Sequence, residues 1–350
     1  MIRFVFTVFL FLICGTVLPQ VKYAVKGATN EEELEGKRVY LYMVEEDNRL
    51  ADSTIVVNGQ FQFEGEILRP CWACIRDSIM GEPAFIVLES GTINLLLNES
   101  NFRCEGTPTN NTFQKGWQAF NSLNQERLKN YEAIDTMNVD KGKKKELFLK
   151  YRSDSEKLTE IFVKENVSKN LDNIIPSFWL RLFNQLFSTD EINTMLANAS
   201  PVLKENSFMK KIMNVQSGKH YVDIDIENHE GEKIKLSEVL GKGNYILINV
   251  WASWCGGCIA ELPQIQIAGE KYRDKGLKII GLSIDRSKDA WKNALNRLNL
   301  PWQQFHVDYS FINTYGINQI PVLILIDPDG IIMKRNFWIE ELEHLLVYKE

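Results

Sequence analysis

Histidine is scarce in this chain of 350 residues, with four in all. His220, His229 and His306 show none of the paired spacing by which imidazoles share a metal. A zinc site built around the cysteines therefore lacks its remaining ligands. Charge of one sign is also lacking: the net value is −6, which offers no basic footprint for nucleic acid. Apolar residues make up 45% and charged residues 25%, ordinary for globular protein, and the length allows two to three domains. The N-terminus stands apart. Arg3 precedes Phe4 to Ile13, ten residues that are all apolar except Thr7. That run is too short to cross a bilayer and the right length for the core of a signal peptide. Residues 1–20 are thus expected to be an export signal, with Gly15 as a small residue near the cleavage point. Two alternatives stay open: Cys14 as a lipoprotein cysteine, although Ile13 sits where a small residue is wanted, and a retained N-terminal anchor.

Export implies an oxidising compartment, where spare cysteines tend to pair. Of six cysteines, Cys71, Cys74, Cys104, Cys255 and Cys258 remain beyond the signal. An odd number leaves at least one thiol without an intramolecular partner. The stretch that organises the chain is Asn249-Val250-Trp251-Ala252-Ser253-Trp254-Cys255-Gly256-Gly257-Cys258. Ile246-Leu247-Ile248 leads into it as a buried strand, and Ile259 to Ile265 reads as the opening of a helix. Helix-opening N–H groups have no intrahelical partner, and with the helix dipole they favour a thiolate. Such C-x-x-C thiols fall from about 8.5 to roughly 3.5–7.5 in pKa. One turn apart, Cys255 and Cys258 can close a small disulfide, and they read as a reversible redox centre. The blander readings are a zinc half-site or two buried small side chains.

From residue 21 to 112 the pattern is short strands and turns, predicting a small β-sandwich or barrel with no catalytic constellation. Ser53 to Val57 and Gln60 to Glu64 flank Asn58-Gly59 and predict a hairpin. Phe85 to Leu88 and Ile93 to Leu97, around Gly91, predict another. Cys71-Trp72-Ala73-Cys74 repeats the redox spacing without a helix start. On a strand, residues three apart lie about 10 Å apart on opposite sides, beyond disulfide reach. Packed thiols, or a bridge from Cys104 to one of them, is the preferred reading over a second redox site. Residues 113–217 change to helical periodicity and read as a helical spacer. Trp179, Phe183, Leu186 and Phe187 follow i, i+4, i+7, i+8 spacing, a core stripe. Lys143-Lys144-Lys145 reads as a solvated face. From 218 to 350 strands alternate with helices: Val222 to Ile226, Tyr245 to Trp251, Leu277 to Ile284 and Val322 to Ile326 are the strands. A turn at Asp327-Pro328-Asp329-Gly330, with proline second and glycine fourth, suits a type I hairpin, and a helix over Glu340 to Tyr348 closes the chain. Crossover helices and a terminal hairpin predict a mixed sheet covered on both faces.

Residues 218–350 resemble the exported TlpA/ResA-like thiol-disulfide oxidoreductases of the thioredoxin fold, within the AhpC/TSA-like superfamily. The resemblance rests on Trp251-Ala252-Ser253-Trp254-Cys255-x-x-Cys258, Pro263 and Gly316-Ile317-Asn318-Gln319-Ile320-Pro321. The N-terminal stretch resembles a β-rich domain of unknown function found in many exported thioredoxin-like proteins of Gram-negative bacteria. Val57 to Phe63 and Gly106-Thr107-Pro108-Thr109-Asn110 carry that likeness. The resemblance implies Cys255 as the exposed attacking cysteine, Cys258 as the buried resolving one, and Pro321 as a cis-proline facing the disulfide. Ile320 would pair with the bound substrate, Trp254 would shield the site together with Trp251, and Pro263 would kink the helix. Asn249 stands where thioredoxin has a buried aspartate. Family members without it use a glutamate three residues after the second cysteine, and Glu261 holds that position, against the plainer reading of a surface glutamate. Gly256-Gly257 departs from the family's usual proline, leaving the potential open. The resemblance thus implies an exported protein-disulfide reductase of the periplasm or cell envelope. Its substrates would be disulfide-containing exported proteins, and a membrane electron donor would recharge it. No metal, flavin or nucleotide is implied; the dithiol is the redox group. The rivals are a thiol peroxidase, which would want Thr-x-x before its cysteine where Trp254 stands, and a binding module in which the β domain captures a partner.

Overall fold

The computed structural model describes residues 20–347 except 47, 77–82, 99–100, 241–242 and 318–319. The expected export signal lies outside the described residues. The chain divides into two compact units, Met1–Tyr42 with Leu50–Asn111 and Met43–Arg49 with Thr112–Glu350. No helix among the described residues is long and apolar enough to cross a membrane.

Among the described residues, eight strands build the first unit: β1 Val21–Thr29, β2 Arg38–Met43, β3 Arg49–Ile55, β4 Gln60–Ile67, β5 Cys71–Arg76, β6 Ala84–Leu88, β7 Gly91–Asn98 and β8 Asn101–Glu105. They form two four-stranded sheets, ordered β4-β1-β7-β8 and β3-β2-β5-β6. Both predicted hairpins are corrected by this topology. The Asn58-Gly59 turn forms, with positive φ at both residues as the pair favours. Beyond a single bridge, Val57 to Gln60, its strands part to different sheets. β4 instead runs antiparallel to β1 from Ala28 opposite Gln60 to Val21 opposite Ile67, turning Phe61 and Phe63 inward. Burying each phenylalanine is worth about 1.5–3 kcal/mol, whereas an isolated hairpin is marginal. Likewise β6 pairs with β5, while Gly91 at φ 116° turns the chain into the other sheet, where β7 runs parallel to β1.

Cys71, Cys74 and Cys104 are buried thiols, so the Cys104 bridge does not form. Burial pushes the Cys104 thiol up to about 12. The Gly106 to Asn110 motif fastens a helix start. Asn110 accepts from the Val87 N–H at 2.9 Å and donates to the Val87 carbonyl at 2.8 Å. The Glu89 carboxylate accepts from the Thr109 N–H at 2.8 Å and hydroxyl at 2.6 Å, an anion at a helix N-terminus. Helix α1, Pro108–Thr136, therefore starts five residues before Phe113, with proline at its first position.

The second unit continues with α2 Lys141–Ser168, α3 Ile175–Phe183, α4 Thr189–Asn198, α5 Pro201–Lys204 and α6 Ser207–Asn214. Trp179 is wholly buried, with Phe120 and Phe162 edge-on at 5.3 and 5.4 Å between ring centres. The predicted stripe stops short, because α3 ends at Phe183 and Leu186 falls on a 3-10 turn. Next come β9 Asp225–Glu227, β10 Lys233–Lys235, α7 Leu236–Leu240, β11 Tyr245–Trp251, α8 Gly256–Lys271, β12 Leu277–Ser283 and α9 Lys288–Leu298. The chain finishes with β13 Gln303–His306, α10 Tyr309–Tyr315, β14 Val322–Ile326, β15 Ile332–Arg335 and α11 Leu342–Val347. They make one mixed sheet, β10-β9-β13-β12-β11-β14-β15. β11, β12 and β13 run parallel, and β14 and β15 antiparallel. Ile246, Ile248 and Val250 face one core with Phe305 and Phe311; Leu247 faces another with Ile265 and Phe337. The predicted strand at Val222 is shorter than its alternation suggests. The Val222 carbonyl accepts from the Tyr315 hydroxyl at 2.7 Å, and Asp223 caps Ser237 at 2.9 Å, so pairing starts only at Asp225.

Candidate active site

β11 is buried along almost its whole length and ends at Trp251, at the head of the parallel strands. The three residues after it must turn the chain into α8 without leaving polar backbone unsatisfied. Asp285, 2% exposed just past β12, does this. Its carboxylate accepts from the Ser253 N–H at 2.9 Å, the Ser253 hydroxyl at 2.6 Å and the Ser283 hydroxyl at 2.8 Å. Sequence reasoning missed this residue. Its one signal was a carboxylate two places after a buried strand, at the end of a sheet where sites gather.

Cys255 is the N-cap of α8, and its Sγ accepts from the Cys258 N–H at 3.1 Å. A disulfide joins the two cysteines, with Cα atoms 5.3 Å apart. The sulfur that the resemblance makes the attacking one is thus the one that a helix-opening N–H addresses. Cys255 is 8% exposed and Cys258 1%. Cys255 is the more accessible of the pair, yet it is recessed, because Trp251, Ala252 and Ile320 pack around it. The Ile320 carbonyl oxygen lies 3.8 Å from Cys255 Sγ, and the Ile320–Pro321 bond is cis. A Cβ placed on Gly257 would meet the Pro321 ring at 3.9 Å, while Gly256 opens onto clear space. Both glycines leave room for a side chain.

The two tryptophans of the motif separate. Trp251 is fully buried and donates to Gln304 Oε1 at 3.0 Å, which makes it core. Trp254 is 66% exposed beside Cys255. Glu261 lies one turn of α8 beyond Cys258 and is half-buried. Its Oε2 is buried with no hydrogen-bond partner among the described residues. Burial, and then the Glu340 charge, raise its pKa above the usual carboxylate range. Asn249, 1% exposed on the β11 face that carries Leu247 and Trp251, also has both amide atoms without hydrogen-bond partners among the described residues. Among the described residues, no group of three His, Cys, Asp or Glu side chains could hold a metal ion. The fold therefore brings Cys255, Cys258, Ile320 and Pro321 together, sets Glu261 one turn along, and leaves Trp254 at the rim.

Residues 217–335 match the AhpC/TSA family, and residues 23–113 match a domain of unknown function, DUF4369. Thiol-disulfide oxidoreductase ResA of Bacillus thuringiensis (strain Al Hakam) is 31% identical over 153 residues, 43% of this chain and 87% of that protein. The chain belongs to the ResA-like thiol-disulfide oxidoreductases. ResA of Bacillus cereus (strain ZK / E33L) is 32% identical over 122 residues, 35% of this chain and 69% of that one. Among solved structures, the C-terminal domain of a putative thiol-disulfide oxidoreductase from Bacteroides thetaiotaomicron aligns at 28% identity and TM-score 0.35. That alignment covers 39% of this chain and 99% of that chain. As a member of the family the protein is an oxidoreductase that works by thiol–disulfide exchange.

Proposed function

We propose that this oxidoreductase reduces disulfides of exported client proteins, with Cys255 as nucleophile and Cys258 as resolving thiol. In the reduced enzyme the Cys255 thiolate attacks one sulfur of a client disulfide. A mixed disulfide forms and the other client sulfur leaves as a thiolate. Cys258 then attacks Cys255 Sγ, which closes the enzyme disulfide and releases the second client thiolate. Two electrons pass to the client, and a donor at the membrane returns them to the enzyme. Glu261 accepts the Cys258 proton; a carboxylate whose pKa is raised by burial is a stronger base than an ordinary one. Ile320 and Pro321, with Trp254 at the rim, hold the client chain. The dithiol is the whole redox group, so no metal, flavin or nucleotide takes part. The N-terminal leader directs the protein to the periplasm or cell envelope.

The observation that carries this reading is the Cys258 N–H on Cys255 Sγ, which stabilises a thiolate at that sulfur rather than at Cys258. The test is the equilibrium potential of the Cys255–Cys258 pair in glutathione and dithiothreitol buffers, with Cys255→Ser as control. A value near or below about −270 mV supports a reductase; one nearer −120 mV makes the protein an oxidant instead.

A further inference from the structure

The helices between the two family matches do more than space them. They belong to the same compact unit as the mixed sheet, and one buried side chain fastens them to it. Asn184, just after α3, donates from Nδ2 to the Gly316 carbonyl at 2.9 Å. Its Oδ1 accepts from Asn336 Nδ2, also at 2.9 Å. Gly316 begins the segment that leads to cis Pro321, and Asn336 begins the one that leads to Trp338. A single amide on the helical side thus anchors the roots of both segments at the edge of the site.

Next to that anchor lies a cavity of about 630 Å³, within the range of ligand pockets. One wall carries Glu261, Pro321 and Trp338; the other, from α1 and α2, carries Arg127 and Lys157. Three further charges on the helical wall, Arg152, Glu156 and Glu160, are spent. Arg152 pairs with Glu156 at 2.8 Å, and Glu160 pairs with Lys164 at 2.8 Å. Arg127 and Lys157 have no carboxylate within ion-pair distance among the described residues, so the helical wall keeps two unpaired cations facing the wall that carries Glu261. Trp338 is 68% exposed and offers an apolar face beside them. Pro321, whose ring faces Gly257 beside the disulfide, also lines this cavity.

We propose that this cavity receives the client segment flanking the reacting cysteine, and that Arg127 and Lys157 select segments bearing carboxylate side chains. The helical region is then a specificity element. The proposal rests on the client-reductase reading above, and the experiment separates the two. The full-length enzyme, recharged with dithiothreitol, is given two disulfide-bonded peptides that differ only in Asp and Glu against Asn and Gln beside the cysteine. Hydroxyethyl disulfide serves as a neutral reference substrate for the wild type. The acidic peptide should show a kcat/KM about five- to tenfold higher, as two partly screened ion pairs would supply. The advantage should shrink as salt is raised. In Arg127→Gln/Lys157→Gln the acidic-to-neutral ratio should fall to about one, and in Arg127→Glu/Lys157→Glu it should invert. Equal rates on both peptides, alongside turnover of hydroxyethyl disulfide, overturn the proposal alone. So does a ratio that survives both double variants. Failure to reduce any of the three substrates overturns the reductase reading and the proposal with it.

Discussion

The protein carries the spacing C-x-x-C twice, and the two copies have little chemistry in common. Cys71 and Cys74 lie on β5, whose first five residues are buried. A strand rises about 3.3 Å per residue and alternates its faces, so these two thiols point to opposite sides. Both are buried, and among the described residues no helix begins at β5 to stabilise a thiolate. Cys255 and Cys258 bridge at a Cα separation of 5.3 Å because a helix turns the same spacing back on itself. The same turn delivers the Cys258 N–H to Cys255 Sγ. The spacing permits a disulfide; the backbone conformation makes one.

The largest test of that contrast is substitution in each motif. Cys255→Ser should abolish exchange entirely, whereas Cys71→Ala/Cys74→Ala should keep turnover of a small disulfide within about twofold. Loss of activity in the β5 double variant, with its fold intact by circular dichroism, would break the comparison. Glu261→Gln should then slow the resolving step by about 10²-fold, read by single-turnover release from a mixed disulfide. The pH dependence comes from the raised Glu261 pKa. Resolution should accelerate as pH rises through that pKa, and the glutamine variant should shift this limb towards the ordinary thiol range. For stability the sign is the reverse. Between the unfolded and the raised folded pKa, the native state binds more protons than the unfolded one, so stability declines as pH rises across that window. Urea titrations of Glu261→Gln should show that decline removed.

Smaller effects probe the frame around the helical motif. Asp285→Ala leaves the Ser253 N–H and two hydroxyls short of their acceptor and should cost about 1–3 kcal/mol in urea unfolding, with slower exchange. Gly256→Pro meets open space at the first helical position, where proline is well suited. It should stabilise the reduced enzyme by about 0.4–1 kcal/mol, and the accompanying change in potential would measure how far the glycines set the redox poise.

Much of this was legible in advance because it is local. The strand–helix handover at Cys255, the turn with Gly330 donating to Asp327 at 3.0 Å, and the Asn58-Gly59 turn each depend on residues within a few positions. Glu261 was named through the family resemblance, and its place one helical turn from Cys258 is likewise local. The errors fell where partners are distant. Neighbouring strands on either side of Asn58-Gly59 were expected to pair, but longer pairings with β1 and β2 bury more side chains and win.

The identity and local geometry of the redox pair come from residue order, since a helix start and two thiols one turn apart need nothing from elsewhere. Long-range packing supplied what surrounds the pair. Ile320 reaches Cys255 across 65 positions, Asp285 holds Ser253 across 32, and Asn184 joins Gly316 across 132. Contacts of that separation leave no periodic trace in a chain. They exist only once apolar burial has offset the entropy of closing the loops between them.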